Sequence, residues 1–360
     1  MPGRSQTRRA PQYQWIIQER NGDAILDAID LEERRFGFRL NRPAYAEAAL
    51  RNNARAATVQ ALTPGKTEAI IYRNGVPLET VFQLARSEFE GDADKVRLGL
   101  QWQGIMSYLQ AAVIHGGTSQ GSTGQSRLAW NRINNWQSRT GANYGITDGG
   151  APGTDPNKSA SWDEDTELLE AIIAQSERAN GYDFALDAQR RWQTYYPQRG
   201  EDKSSEIVLD YGVHIAGFSF AADTSPGRLV TDARVSGGEG AIATAASASA
   251  RTTYGRREAS VQYSDVISDT SPLQQYADSI IERRASVSQI PQVRLTRNNF
   301  GGYPFGTFWL GDTVRVRIAA GRLVNIDQPM RIVGIDFELD ENGNEDVTLT
   351  FNDAADEEAA

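Results

Sequence analysis

The feature that most constrains this chain is a rhythm of short alternating segments broken by tight-turn pairs. Arg35-Phe36-Gly37-Phe38-Arg39-Leu40 alternates charge and bulk with the two-residue period of a half-buried strand. Asn74-Gly75 joins Thr67–Arg73 to Val76–Leu84. Both turn residues tolerate the positive φ that a two-residue hairpin turn needs, so the pair is a strong hairpin signal. Gln14–Gln18 is a short strand that stops before Asn21-Gly22, and Lys95–Trp102 sets Val96, Leu98, Leu100 and Trp102 on one face. This spacing predicts a barrel or sandwich over the first ~100 residues rather than a parallel sheet with crossover helices. A short helix is expected over 43–53, with Pro43 at its first position.

The period then lengthens. Ile105, Tyr108, Leu109 and Ala112 share a face, which predicts a helix over 103–114. Residues 116–125, GGTSQGSTGQ, read as a flexible linker. Leu128, Trp130, Ile133 and Trp136 predict a second helix over 126–137, and a Gly/Pro/Asp-rich loop follows over 140–158. A third helix is expected from Trp162 to Asn180, with Ser161 and Glu164 as a capping box and Asn180-Gly181 as its end. Alternation returns over 182–186, 206–209, 214–221 and 229–237, while 238–250 is a low-information tract. Ser271-Pro272 opens a helix over 272–286. Strands are expected over 293–297 and 313–318, with a closing hairpin of 330–339 and 345–351 turned by Asn342-Gly343.

The expected fold class is therefore α+β and β-dominated, with two barrel- or sandwich-like β domains and a helical middle region. Its divisions are an arm at 1–12, a first β-rich domain at 13–115, the linker at 116–125, a mainly helical domain at 126–200, a second β-rich domain at 201–352 and an acidic tail at 353–360.

Composition removes several function classes. The 360 residues contain no cysteine and two histidines, His115 and His214. Thiolate zinc sites, iron–sulfur clusters and a cysteine nucleophile are excluded, and any zinc or iron site would have to be almost wholly carboxylate. A formal charge of −10 makes the chain a poor general binder of phosphate backbones. No stretch approaches the ~20 apolar residues of a membrane span. The first dozen residues lack the apolar core of a signal peptide, so a soluble product or part of a soluble assembly is expected.

Each catalytic-looking motif has a plainer reading. Gly117-Thr118-Ser119-Gln120-Gly121 matches the nucleophile-elbow pattern, but an elbow needs a buried strand before the serine and a helix directly after it. Gly65-Lys66-Thr67 lacks the earlier glycine of a phosphate loop, since Gln60 stands there. Glu338–Leu349 resembles a calcium loop, yet Leu349 occupies the position of the bidentate carboxylate, so a hairpin turn is expected. Asp163, Glu164, Asp165 and Glu167 suit a helix start better than a cation. Arg190-Arg191-Trp192-Gln193-Thr194-Tyr195-Tyr196 could stack bases, but in an acidic chain it reads as a domain boundary or interface. No catalytic, cofactor-binding or metal-binding set is expected, and the chain reads as a non-enzyme.

The order of several segments carries a resemblance. Tyr72-Arg73-Asn74-Gly75 leads to Thr80-Val81-Phe82 and Val96-Arg97-Leu98. Ala129-Trp130-Asn131-Arg132-Ile133 runs to Tyr144-Gly145-Ile146-Thr147. Tyr182-Asp183-Phe184 precedes Tyr196-Pro197-Gln198-Arg199-Gly200 and Asp210-Tyr211-Gly212. Gly311-Asp312-Thr313-Val314-Arg315-Val316 precedes Met330-Arg331-Ile332-Val333-Gly334-Ile335. Over roughly 70–352 this resembles the minor tail proteins of long-tailed, non-contractile bacteriophages and, through them, the baseplate hub family.

The resemblance implies a virion tail-tip protein and a homotrimer whose two β domains per subunit present six similar units to a hexameric tube. It also implies the distal tail protein, the tape measure protein and other minor tail proteins as neighbours. DNA would be present only in transit, through a lumen expected to be negative so that phosphates slide. Arg4, Arg8 and Arg9 would dock on an acidic neighbour, and Asp356, Glu357 and Glu358 on a basic one. The alternatives are a distal tail ring, a carbohydrate-binding tip protein or a cell-wall or ester hydrolase acting through Ser119.

Overall fold

The computed structural model describes residues 11–20, 25–28, 31–50, 62–90, 97–115, 118–162, 165–177, 180–224, 227–264, 270–285, 288–297, 300–322, 324–341 and 343–351. The N-terminal strands are β1 (Tyr13–Glu19), β2 (Ile25–Ala28), β3 (Leu31–Arg39), β4 (Tyr45–Leu50), β5 (Thr67–Arg73), β6 (Val76–Glu90) and β7 (Arg97–Gly104). A 3₁₀ turn, Ile105–Leu109, leads into a middle unit. This unit holds β8 (Thr118–Gly124), α1 (Gln125–Gln137), β9 (Thr147–Asp148), β10 (Asn157–Trp162), α2 (Leu168–Ser176), β11 (Asp183–Leu186) and β12 (Arg191–Tyr195). The chain continues through β13 (Val208–Asp210), β14 (Ile215–Asp223), β15 (Asp232–Gly237), β16 (Ile242–Ala246), α3 (Ala248–Tyr254), β17 (Glu258–Ser264) and α4 (Thr270–Arg284). It closes with β18 (Ser288–Leu295), β19 (Thr313–Ala320), β20 (Val324–Leu339) and β21 (Glu345–Phe351). The fold is α+β and β-dominated.

The two β-rich regions meet in one 13-stranded sheet, ordered β14-β18-β21-β20-β3-β4-β7-β6-β5-β1-β2, with β19 on the other half of β20 and β13 on β19. The join is β20. Its first half pairs with β19; its second half pairs with β21 on one side and β3 on the other. There Phe337 lies opposite Phe36 and the rings stack at 4.8 Å. The sheet also curls on itself, because Trp15 of β1 reaches Trp102 of β7 at 5.3 Å. One core therefore runs from Trp15 to Trp102 and again from Ile207 to Phe351. Alternation produces it directly. Val314, Val316 and Ile318 of β19 are fully buried, while Arg315 and Arg317 on the same strand carry exposed ion pairs. Each such buried side chain contributes about 1.5–3 kcal/mol.

Two smaller cores flank this body. The middle unit buries Leu128, Ile133, Leu169, Ile172, Phe184 and Trp192 among themselves. The other unit is an insertion: β14 and β18 pair antiparallel from Ile215↔Leu295 to Asp223↔Ser288, and everything between them hangs from that hairpin tip. Its core sets Leu273, Ala277 and Ile280 of α4 against Ala233, Val235 and Ala243 of the β16-β15-β17 sheet.

Several local expectations are corrected. Residues 45–50 form a strand rather than part of a helix over 43–53, because β4 fills the slot between β3 and β7 with Ala46, Ala48 and Leu50 turned inward. The helix over 103–114 reduces to the 3₁₀ turn, since β7 claims the chain as far as Gly104. The linker at 116–125 contains β8, whose backbone is satisfied by β10. That pairing also takes Ser161 and Trp162 out of the third helix, which starts at Leu168 without a side-chain cap; Asp165 before it has a φ of 65°, which no right-handed helix admits. The mainly helical domain at 126–200 thus holds strands as well as helices, and 238–250 holds β16 and the start of α3. Helix 272–286 is found as Thr270–Arg284. The arms bearing Arg4, Arg8, Arg9, Asp356, Glu357 and Glu358 lie outside the described residues.

Candidate functional site: the junction and cleft between the body and the middle unit

The middle unit returns to the body at a crossing of two glycines. Gly200 (φ 83°) and Gly311 (φ 91°) lie back to back. A Cβ on Gly200 would overlap the backbone of Gly311 and Asp312, and one on Gly311 would overlap the Arg199 carbonyl. Only glycine combines that φ with that approach.

Polar groups lock the crossing. Asn41, left-handed at the end of β3, presents its amide to β11: its Nδ2 donates to Asp183 Oδ1 at 2.8 Å and its Oδ1 accepts from the Phe184 N–H at 2.8 Å. Asp183 Oδ2 accepts from the Arg199 N–H at 2.6 Å and pairs with Arg331 Nη2. Arg331 also donates to the Arg199 carbonyl at 3.0 Å and, through Nε, to the Gly311 carbonyl at 3.1 Å. Next to it, Asp312 Oδ1 accepts from the Glu201 N–H at 2.9 Å, and its Oδ2 accepts from the Trp309 N–H and Lys203 Nζ, both at 2.8 Å. Burial pulls the Arg199 guanidinium down to about 10; Asp312 opposes this and Arg331 adds to it.

A second strut joins β5 to the turn before β12. Glu68, fully buried, pairs with Arg190, and Arg190 Nη1 also donates to the Tyr144 carbonyl at 2.8 Å. Burial raises the Glu68 carboxyl above its ordinary value, against the pull of Arg190. A third cluster holds Asp336 between Arg39 (2.7 and 3.1 Å) and the Tyr45 hydroxyl (2.6 Å). It occupies the space a side chain on Gly37 would fill. Burial, with Asp336 beside it, pushes the Tyr45 hydroxyl up, so it stays a donor.

Between these locks lies a cleft of about 620 Å³. Its walls include Arg39, Arg42, Tyr45, Glu177, Arg331 and Thr350. Arg42 donates to the Asn41 carbonyl at 3.2 Å and pairs with Glu177 at 3.4 Å. Thr350 is 3% exposed and its Oγ1 has no hydrogen-bond partner.

The sequence motifs scatter around this site. Ser119 lies in β8, without the strand–turn–helix of an elbow. His115 is remote in chain order; His214 stacks on Tyr303 at 5.3 Å and accepts from the Asp210 N–H at 3.1 Å through Nδ1. Gly65 turns the chain into β5, and Asp340 with Gly343 forms the β20–β21 turn. Asp163 and Glu164 lie outside the described residues. Trp192 of the aromatic–basic run is buried in the middle-unit core. Among the described residues no group of three or more His, Asp or Glu is placed to hold a metal, and no helix is long and apolar enough to cross a membrane. The sequence reading assigned no role to Asn41, Asp183, Asp312 or Arg331. Yet Asp183, Arg199-Gly200, Gly311-Asp312 and Arg331 all stand in the segments that carry the family resemblance, and the fold gathers them at one point.

No protein-family model matches the chain, and no curated protein sequence matches it. Solved structures do. The 43 kDa tail protein of prophage MuSo2 from Shewanella oneidensis superposes with a TM-score of 0.63 at 11% identity, over 95% of this chain and 98% of that one. The tail protein from Neisseria meningitidis MC58 does so at 0.60 and 12%, over 94% and 96%. A component of the Escherichia coli type VI secretion system, described as structurally similar to the T4 tail proteins gp27 and gp5, does so at 0.52 and 12%, over 93% and 76%. The chain shares its fold with phage tail proteins.

Proposed function

We propose that this chain is a structural hub of a bacteriophage tail tip, of the long-tailed, non-contractile kind. It forms a ring of three subunits, caps the tail tube, anchors the distal tail, tape measure and other minor tail proteins, and opens for DNA to leave. The observation that carries this reading is the agreement in fold over nearly the whole length of a prophage tail protein. Physical features support it. Among the described residues β14 forms a strand ladder only with β18, and beyond the single Tyr211↔Ile215 bridge at its start no strand pairs with its other edge. Beside that edge Tyr211 is 43% and Val213 64% exposed. An open strand edge next to exposed apolar side chains is suited to a neighbouring chain. The junction described above ties body and middle unit together through Asn41, Asp183, Arg199 and Arg331, which suits a part that works by shape.

In the assembled ring the lumen carries net negative potential, so that DNA is not held through counterion release. Arg4, Arg8 and Arg9 contact an acidic neighbour, and the segment with Asp356, Glu357 and Glu358 a basic surface. The deciding measurement is the mass and symmetry of the purified assembly. A threefold particle of three 39.6 kDa chains is expected, with Val213→Glu shifting it toward monomer. A sixfold ring would instead make the chain a distal tail component. A monomer that hydrolyses a substrate would overturn the proposal.

A further inference from the structure

We propose that the cleft between body and middle unit is a ligand site, and that it takes an uncharged saccharide chain. Charge decides first what it does not take. Each guanidinium in the lining already has a carboxylate: Arg39 holds Asp336, Arg42 holds Glu177 and Arg331 holds Asp183. The walls have no spare cation for a phosphate, sulfate or carboxylate, and a charged ligand would give up hydration without gaining a counter-ion.

What the walls offer is neutral hydrogen bonding. Gln103, Gln110, Asn180 and Gln198 line the cleft and are exposed, and among the described residues their carboxamides make no side-chain hydrogen bond. They come from separate stretches: the end of β7, the end of the 3₁₀ turn, the turn before β11 and the segment after β12. Each carboxamide both donates and accepts, as does a sugar hydroxyl. Thr350 is a second, independent sign. It lines the same cleft at 3% exposure, and its Oγ1 has no partner. A buried hydroxyl left unanswered is uncommon, and a ligand hydroxyl at the cleft floor would answer it. Pro43, Tyr45, Pro197 and Val333 add apolar surface for the C–H face of a pyranose ring.

The sheet argues against an added peptide strand. On the cleft floor Tyr45 is paired with Gly37 and Gln103, Gln103 with Tyr45 and Gln83, and Thr350 with Gly334 and Gln292. These strands have no free edge to extend, so a ligand there is held by side chains rather than by ladder bonds. A volume of about 620 Å³ is in the range of ligand clefts, ~300–1,000 Å³. The claim concerns the single chain and is independent of the ring.

Full-length protein is titrated with neutral trisaccharides of glucose, galactose, mannose and N-acetylglucosamine, each to about 10 mM, and binding is read by saturation-transfer NMR. At least one should bind and slow hydrogen exchange at the amides of 40–45 and 180–183. Gln103→Ala with Gln198→Ala should weaken that sugar about tenfold or more. Both side chains are exposed, so this variant keeps the fold. Thr350→Val should weaken it about threefold without lowering the melting temperature, because the hydroxyl has no internal partner to lose. Binding by none of the sugars, or binding that the glutamine pair leaves unchanged, would overturn the proposal. So would tighter binding of glucose 6-phosphate than of any neutral sugar, or protection of those amides by an uncharged Gly-Ser-Asn hexapeptide when no sugar protects them.

Discussion

Asp183 shows how much one side chain can hold. Its two oxygens serve the Asn41 amide, the Arg199 N–H and the Arg331 guanidinium, from three separate stretches of chain. The glycine crossing beside it is equally local in cause. Gly311→Ala should cost about 1–3 kcal/mol for the left-handed backbone alone, plus the overlap with Arg199. Gly141→Ala, at a similar φ of 82° but in open space, should show only the first cost, and thermal melts of the two variants separate the contributions. The Glu68–Arg190 pair gives a pH-dependent prediction. Burial already raises the Glu68 carboxyl, and Arg190 is the chief influence holding it down. A carboxyl raised in the folded state binds its proton more readily folded than unfolded, so stability falls as pH climbs from the unfolded toward the folded value. Arg190→Ala should therefore lose about 3–5 kcal/mol at neutral pH and recover part of it as pH falls toward 5. Urea unfolding at both pH values reads this directly; a loss independent of pH would show that Arg190 acts by packing instead.

At the scale of elements, strands win wherever two neighbours leave a slot. The segment 45–50 has helix-forming alanines, but β3 and β7 offer ladder partners on both sides, and Ala46 and Ala48 fit beneath them. The Gly/Ser/Thr run at 118–124 has little apolar drive of its own and is a strand because β10 satisfies its backbone. The insertion between β14 and β18 is separable on the same reasoning. Asp223 and Ser288 are already paired at the hairpin tip, and the insertion has its own core. Replacing 224–287 with Asn-Gly should leave the main unfolding transition of the body within a few degrees of the parent, as read by calorimetry. Collapse of the body would mean that the insertion packs into it.

At the scale of the molecule, the body is one object although its strands come from both ends of the chain. Besides the Phe36–Phe337 stack, Arg73 and Tyr13 near the start grip Glu345 near the end, with the Arg73 guanidinium 3.9 Å from the Phe305 ring centroid. The middle unit has a separate core and meets the body at the polar junction and where Ile70 of β5 packs against that core. Asp183→Ala should therefore split a single calorimetric transition into two, because it removes the carboxylate shared by Asn41, Arg331 and the Arg199 N–H while both hydrophobic cores stay intact. One unbroken transition would show that apolar contact, not the junction, couples them.

What the sequence determined by itself was the local alphabet. Val314-Arg315-Val316-Arg317-Ile318 could only be a half-buried strand, Asn74-Gly75 a hairpin turn, and Leu128 to Trp136 a helix with one apolar stripe, because each signal is a repeat read within a few residues. Tertiary structure decided what those pieces close upon. That β20 would bind β3 some 300 residues away, that 45–50 would be strand and not helix, and that Asp183, Arg199, Gly311 and Arg331 would meet are matters of partner and register. No periodicity encodes them, since a ladder bond or a buried ion pair forms only when the distant group is already in place.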